Sequence, residues 1–64
     1  MKNQNYKPKR IIDGYYMKKQ LHGGFKVYEV FHFSNEQSVR RKCIAKNLTL
    51  TDAEDLIFRL EAKL

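Results

Sequence analysis

The stretch from Lys46 to Leu64 (KNLTLTDAEDLIFRLEAKL) constrains the fold more than any other, because only there do hydrophobic periodicity and end signals agree. Counted from Ala53, the residues Leu56, Ile57, Leu60 and Leu64 fall three, four, seven and eleven positions on, one apolar stripe of a 3.6-residue helix. Thr51 followed by Glu54 offers a capping box, and Thr49 with Asp52 offers a competing start two residues earlier. Asp52, Glu54 and Asp55 place negative charge where the helix dipole favours it, and Lys63 lies at the other end. A single amphipathic helix cannot bury its own stripe, so the preceding chain must supply the surface that it covers.

That preceding chain reads as strands. Ile11 to His22 is rich in β-branched and aromatic residues and runs into Gly23-Gly24, a hairpin signal that allows positive φ at both positions. A first strand is expected at about Tyr15 to Leu21, with Asp13-Gly14 as a turn or bulge before it. Phe25 to Ser34 (FKVYEVFHFS) is the most β-prone segment, and neither of its faces is clearly polar. Such a strand belongs in the centre of a sheet covered on both sides, unless a bulge switches the alternation. After a turn at Asn35 to Gln37, Ser38 to Asn47 reads as a third strand. Strict alternation puts Arg40, Lys42 and Lys46 with Ile44 on one face, and Arg41 with Val39, Cys43 and Ala45 on the other. A charge beneath the helix would be buried without a partner, so the face with Arg40 and Lys42 is expected opposite the helix. The expected fold is α+β: a three-stranded antiparallel sheet packed against one C-terminal helix, in the order βββα. Residues 11–64 form this single domain, and residues 1–10, polar and basic around Tyr6 and Pro8, form a disordered arm.

Charge then narrows the partner. Thirteen Lys and Arg against seven Asp and Glu give a formal net charge of +6. Four of the acids and only two of the bases lie from Thr51 onward, so the helix is net acidic and the positive field belongs to the sheet and the arm. This asymmetry favours an anionic partner for the sheet, nucleic acid before membrane, since there is no basic amphipathic helix to lie on lipid. The plainer alternative is a charged surface that keeps a small protein in solution.

Three short strands, the first two joined at glycines and the third basic, precede a Leu-Thr-x-x-Asp-Ala-Glu-like helix start, most specifically Asn47 to Leu60 (NLTLTDAEDLIFRL). In this, the chain resembles the N-terminal arm-binding domains of tyrosine integrases. It is similar in layout to the plant ethylene-response-factor DNA-binding domain and to small strand-strand-helix proteins of phages and plasmids. The resemblance implies a helix bracing a sheet whose exposed face enters the major groove. Carried over by position, Tyr16 and Lys18, Lys26 or Glu29, and Arg40 and Lys42 would form the reading face. The chain departs from those families in having no tryptophan, and in presenting Phe31 and Phe33 where they more often carry arginine.

Catalytic chemistry finds little to work with. His22 and His32 lack metal-ligand spacing, Cys43 has no second cysteine, and Ser34 and Ser38 lack a nucleophile motif. Gly23-Gly24 lacks phosphate-cradling spacing. No enzyme activity, metal or cofactor is expected. Cys43 reads as a small apolar strand residue of a chain expected to be intracellular and cytoplasmic, and no apolar run is long enough to span a bilayer. The expected function is therefore non-catalytic binding of nucleic acid, DNA rather than RNA and double-stranded in form. The residues expected to contact it are Lys7, Lys9, Arg10, Tyr16, Lys18, Lys26, Arg40, Arg41, Lys42 and Lys46. The alternative is a protein-binding module, a phage or mobile-element inhibitor or regulator or a dimerising subunit, that uses Phe31, Phe33 and Phe58. Phe58 lies about 140° around the helix from Ala53 and so points away from the stripe.

Overall fold

The computed structural model describes residues 7–64. Three antiparallel strands, β1 (Arg10–Lys19), β2 (Phe25–Phe33) and β3 (Arg40–Leu48), form one sheet in the order β1-β2-β3, followed by a single helix, α1 (Leu50–Glu61). The β-prone segment takes the central position, with Val27, Glu29 and Phe31 buried on its helix side and Tyr28, Val30 and His32 half-buried on the reverse, which no second layer covers among the described residues.

The hairpin between β1 and β2 closes as its glycines require. Gly23 and Gly24 have φ of 95° and 80°, and the Gln20 N–H donates to the Gly24 carbonyl at 2.9 Å. A second clamp fixes the far side of this turn. Gln20 Oε1 accepts from the Asn47 N–H at 2.6 Å, and its Nε2 donates to Asn47 Oδ1 at 2.9 Å. Asn47 itself adopts the left-handed conformation, φ 61°, one residue before β3 ends at Leu48. The helix takes the first of the two sequence starts. Thr49 is the N-cap, its Oγ1 accepting from the Asp52 N–H at 3.1 Å, and Thr51 lies within the first turn.

The helix meets all three strands. Val27 and Ala53 are completely covered, and Leu56, Ile57 and Leu60 of the expected stripe are half-buried. Leu64 lies beyond the end of the helix and is exposed. A twelve-residue helix is about 18 Å long, and a nine-residue strand about 30 Å, so α1 cannot cover the whole sheet. Beyond it, arginines take its place. The Arg10 guanidinium sits 4.3 Å from the centre of the buried Phe31 ring, and that of Arg40 sits 5.3 Å from the centre of Phe33. Phe31 and Phe33 meet edge to face at 5.8 Å.

Two bulged regions decide what faces where. In β1, Asp13 is an extra residue between Ile12 and Gly14, so the Asp13-Gly14 pair is a bulge inside a longer strand rather than a turn before it. The strand begins at Arg10, and Lys9 is bonded to Ser34 just before it. Ser34 N–H donates to the Lys9 carbonyl at 2.8 Å, and Lys9 N–H donates to Ser34 Oγ at 3.0 Å. Arg10 thus belongs to the sheet, while residues 1–6 of the expected arm lie outside the described residues. In β3 the pairing slips twice, since Phe25, Val27 and Tyr28 oppose Leu48, Ala45 and Cys43. The second slip leaves Ile44 as an extra residue. Because side chains alternate with a period of two, one inserted residue exchanges the faces of everything beyond it.

Candidate nucleic-acid interface

The exchange of faces rebuilds the expected site. Arg40 pairs with Phe31 and Lys42 with Glu29, both on the helix side of β2, whereas Arg41 pairs with Val30 and Cys43 with Tyr28 on the reverse side. The expectation that the face of Arg40 and Lys42 lies opposite the helix, with Arg41 on the helix-side face, is therefore corrected. The bulge at Ile44 solves the problem that strict alternation posed for Arg41 by placing it on the open face.

The helix-side cations are largely occupied. Glu29 is buried, and its Oε1 has no partner among the described residues besides the Arg10 guanidinium, with which it forms an ion pair. A buried carboxylate without that partner would carry a large desolvation cost. Arg40 is held by Glu36 through contacts of 3.0 and 3.1 Å from Nη2 and 3.2 Å from Nε. Neither arginine is available to a polyanion without surrendering a carboxylate. Lys42 is exposed beside this cluster, and Lys46 is exposed in the bulged stretch of β3.

The reverse face has a different composition. Nearest the hairpin, Lys18 of β1 stands directly opposite Lys26 of β2. The next row holds Tyr16 opposite Tyr28, their rings stacked at 5.1 Å with an 11° interplanar angle, and Cys43 on the far side of Tyr28. Beyond that are Gly14, Val30 and Arg41, with Arg41 Nη1 donating to the Tyr16 hydroxyl at 3.4 Å. His32 closes the row farthest from the hairpin, its Nδ1 at 2.8 Å from Asp13 Oδ2. No ion pair among the described residues engages Lys18, Lys26 or Arg41. The surface is thus a tyrosine pair with cations at both ends, and its one carboxylate is paired to a histidine.

Of the sequence-derived set, the structure brings Tyr16, Lys18, Lys26 and Arg41 together. It separates Arg10, Arg40 and Lys42 from them, and sets Lys7 and Lys9 at the start of β1. Tyr28, which is not in that set, is the central member of the row. Its place opposite Tyr16 follows from the register, which the length of the Gln20–Gly24 turn fixes. Cys43 lies in β3 as expected and is exposed, with its Sγ 3.4 Å from the Ala45 carbonyl. Of the residues named for the alternative, Phe31 is buried in the core, Phe33 is half-buried, and Phe58 is exposed at 73%.

No protein-family model, curated protein or solved structure matches the chain. The chain has the βββα layout expected from its sequence. No helix among the described residues is long and apolar enough to cross a membrane.

Proposed function

We propose that the protein is a non-catalytic nucleic-acid-binding protein that uses the reverse face of its sheet. The observation that carries this is the Tyr16–Tyr28 stack lying between uncommitted cations, Lys18 and Lys26 on one side and Arg41 on the other. Cations that have no carboxylate of their own release counterions when they meet phosphates, and tyrosines supply hydrogen bonds or stacking surface beside them. Double-stranded DNA is the favoured ligand. Three strands spaced by roughly 4.8 Å make a ribbon about 10 Å across its outer backbones, comparable with the major groove of about 12 Å. The layout shared with integrase arm-binding and ethylene-response-factor domains points the same way. Lys7 and Lys9, exposed at the start of β1, extend the positive surface toward the N-terminus.

The test is duplex binding by fluorescence anisotropy at two salt concentrations. Replacing Lys18 and Lys26 together by Gln should weaken binding across unrelated sequences and flatten its salt dependence. Affinity that is unchanged in that variant would remove the reverse face as the binding surface.

A protein-binding role is the second reading, supported by the exposure of Phe58 and Leu50 on an acidic helix. Under it, Phe58→Ala abolishes association with a partner or second copy and leaves the melting temperature in place. A wild-type chain that stays monomeric by light scattering and captures no protein counts against it.

A further inference from the structure

Lys18 and Lys26 are direct cross-strand partners on one face of the β1–β2 ladder. Like charges in that relation repel and weaken the pairing. Lys19 follows in β1, and no ion pair among the described residues engages any of the three. Together with His22 of the turn and the Tyr28 ring, these lysines line an open hollow of about 500 Å³ that contains no acidic side chain. The turn forming its end wall is fixed twice, by the Gln20 N–H to the Gly24 carbonyl and by the paired amide contacts of Gln20 with Asn47. The hollow is therefore a preorganised cationic recess, and its internal repulsion is relieved when an anion enters.

Its position and charge specify the anion further. The hollow closes the hairpin end of the surface formed by Tyr16, Tyr28 and Arg41, so a strand lying along that surface reaches the lysines at its end. An internal phosphodiester brings one negative charge. A phosphate monoester brings about 1.5 to 2 at pH 7 and three acceptor oxygens, which the facing Lys18 and Lys26 match more closely. We propose that the hairpin hollow holds the terminal phosphate of a nucleic-acid strand whose body lies over Tyr16, Tyr28 and Arg41. This rests on the nucleic-acid reading above and goes beyond it by assigning a strand end to one subsite.

The test uses the full chain and short, internally labelled oligonucleotides, single-stranded and duplex, ending in a 5′-phosphate, a 3′-phosphate or hydroxyls only. Anisotropy titrations should show about fivefold tighter binding of one phosphorylated end, the size expected for a partly exposed charge contact, and the two phosphorylated series identify which end. Lys18→Gln with Lys26→Gln should erase that preference, while Arg41→Gln should weaken all ligands alike and preserve it. Equal affinity for phosphorylated and hydroxyl ends overturns the terminal-phosphate site and leaves the surface reading standing. Absence of binding to every oligonucleotide overturns both. If the double lysine variant does not fold, inorganic phosphate titrated into the isotopically labelled wild-type chain replaces it. Amide shifts concentrated at Lys18, His22 and Lys26 support the site, and shifts spread evenly over the lysines of the chain remove it.

Discussion

Arg40 and Arg41 are adjacent in sequence and identical in charge, yet the bulge at Ile44 gives them opposite faces, and their substitution by Gln should have unequal effects. If Lys18, Lys26 and Arg41 each neutralise one phosphate, the slope of log K against log salt is about −0.9 times three, or roughly −2.7, before any contribution from the arm. Between 50 and 200 mM salt that amounts to an affinity loss of about 40-fold. Arg41→Gln removes one contact, leaving a slope near −1.8 and a loss of about 12-fold over the same range. Arg40→Gln should leave the slope near its wild-type value, because its guanidinium is already held by Glu36 and lies on the helix side. Anisotropy titrations of one duplex over a salt series measure both slopes. Indistinguishable slopes for the two variants, or the larger change in Arg40→Gln, would refute the assignment of faces.

Two further predictions concern the fold that presents this surface. Val27 is completely covered, and Val27→Ala should cost about 2 kcal/mol from lost burial and the cavity left behind. For a domain of this size that lowers the melting temperature by about 8–16 °C, read by circular dichroism; a change below about 2 °C would mean that the helix does not seal that position. Gly24 has φ of 80° and an added Cβ would lie 3.4 Å from Asn47 Cα, so Gly24→Ala should destabilise by about 1–2 kcal/mol. Equilibrium urea unfolding measures it, and a neutral result would show that the hairpin and the Asn47 turn can separate freely.

Much of the architecture was legible in the residues because the signals were local. The helix stripe, the competing Thr49 and Thr51 starts, the glycine hairpin and the central character of Phe25 to Phe33 each follow from a few neighbouring side chains. The faces of β3 were not legible. A bulge leaves no mark in composition, and RRKCIAKNL accepts either parity until the partner strand fixes it. The start of β1 is hidden for a related reason, since Asp13-Gly14 signals a turn and a bulge equally well. The Arg10–Glu29 pair was equally hidden, because nothing near Glu29 in sequence announces a cation that only the register delivers. The tyrosine pair needed only the register, which the hairpin length sets. The cationic character of the sheet was visible from the charge count, but which cations remain uncommitted depended on where Glu29 and Glu36 point.

The central claim is that one face of the sheet, and not the helix, meets the ligand. Side-chain chemical-shift mapping of the isotopically labelled full chain with a short DNA duplex tests it most directly. The expected changes fall on Tyr16, Lys18, Lys26, Tyr28, Val30 and Arg41, with Val27, Ala53 and Phe58 unmoved. Changes centred on Leu50 and Phe58, or no changes at concentrations of duplex that perturb the bulk anisotropy, would contradict it.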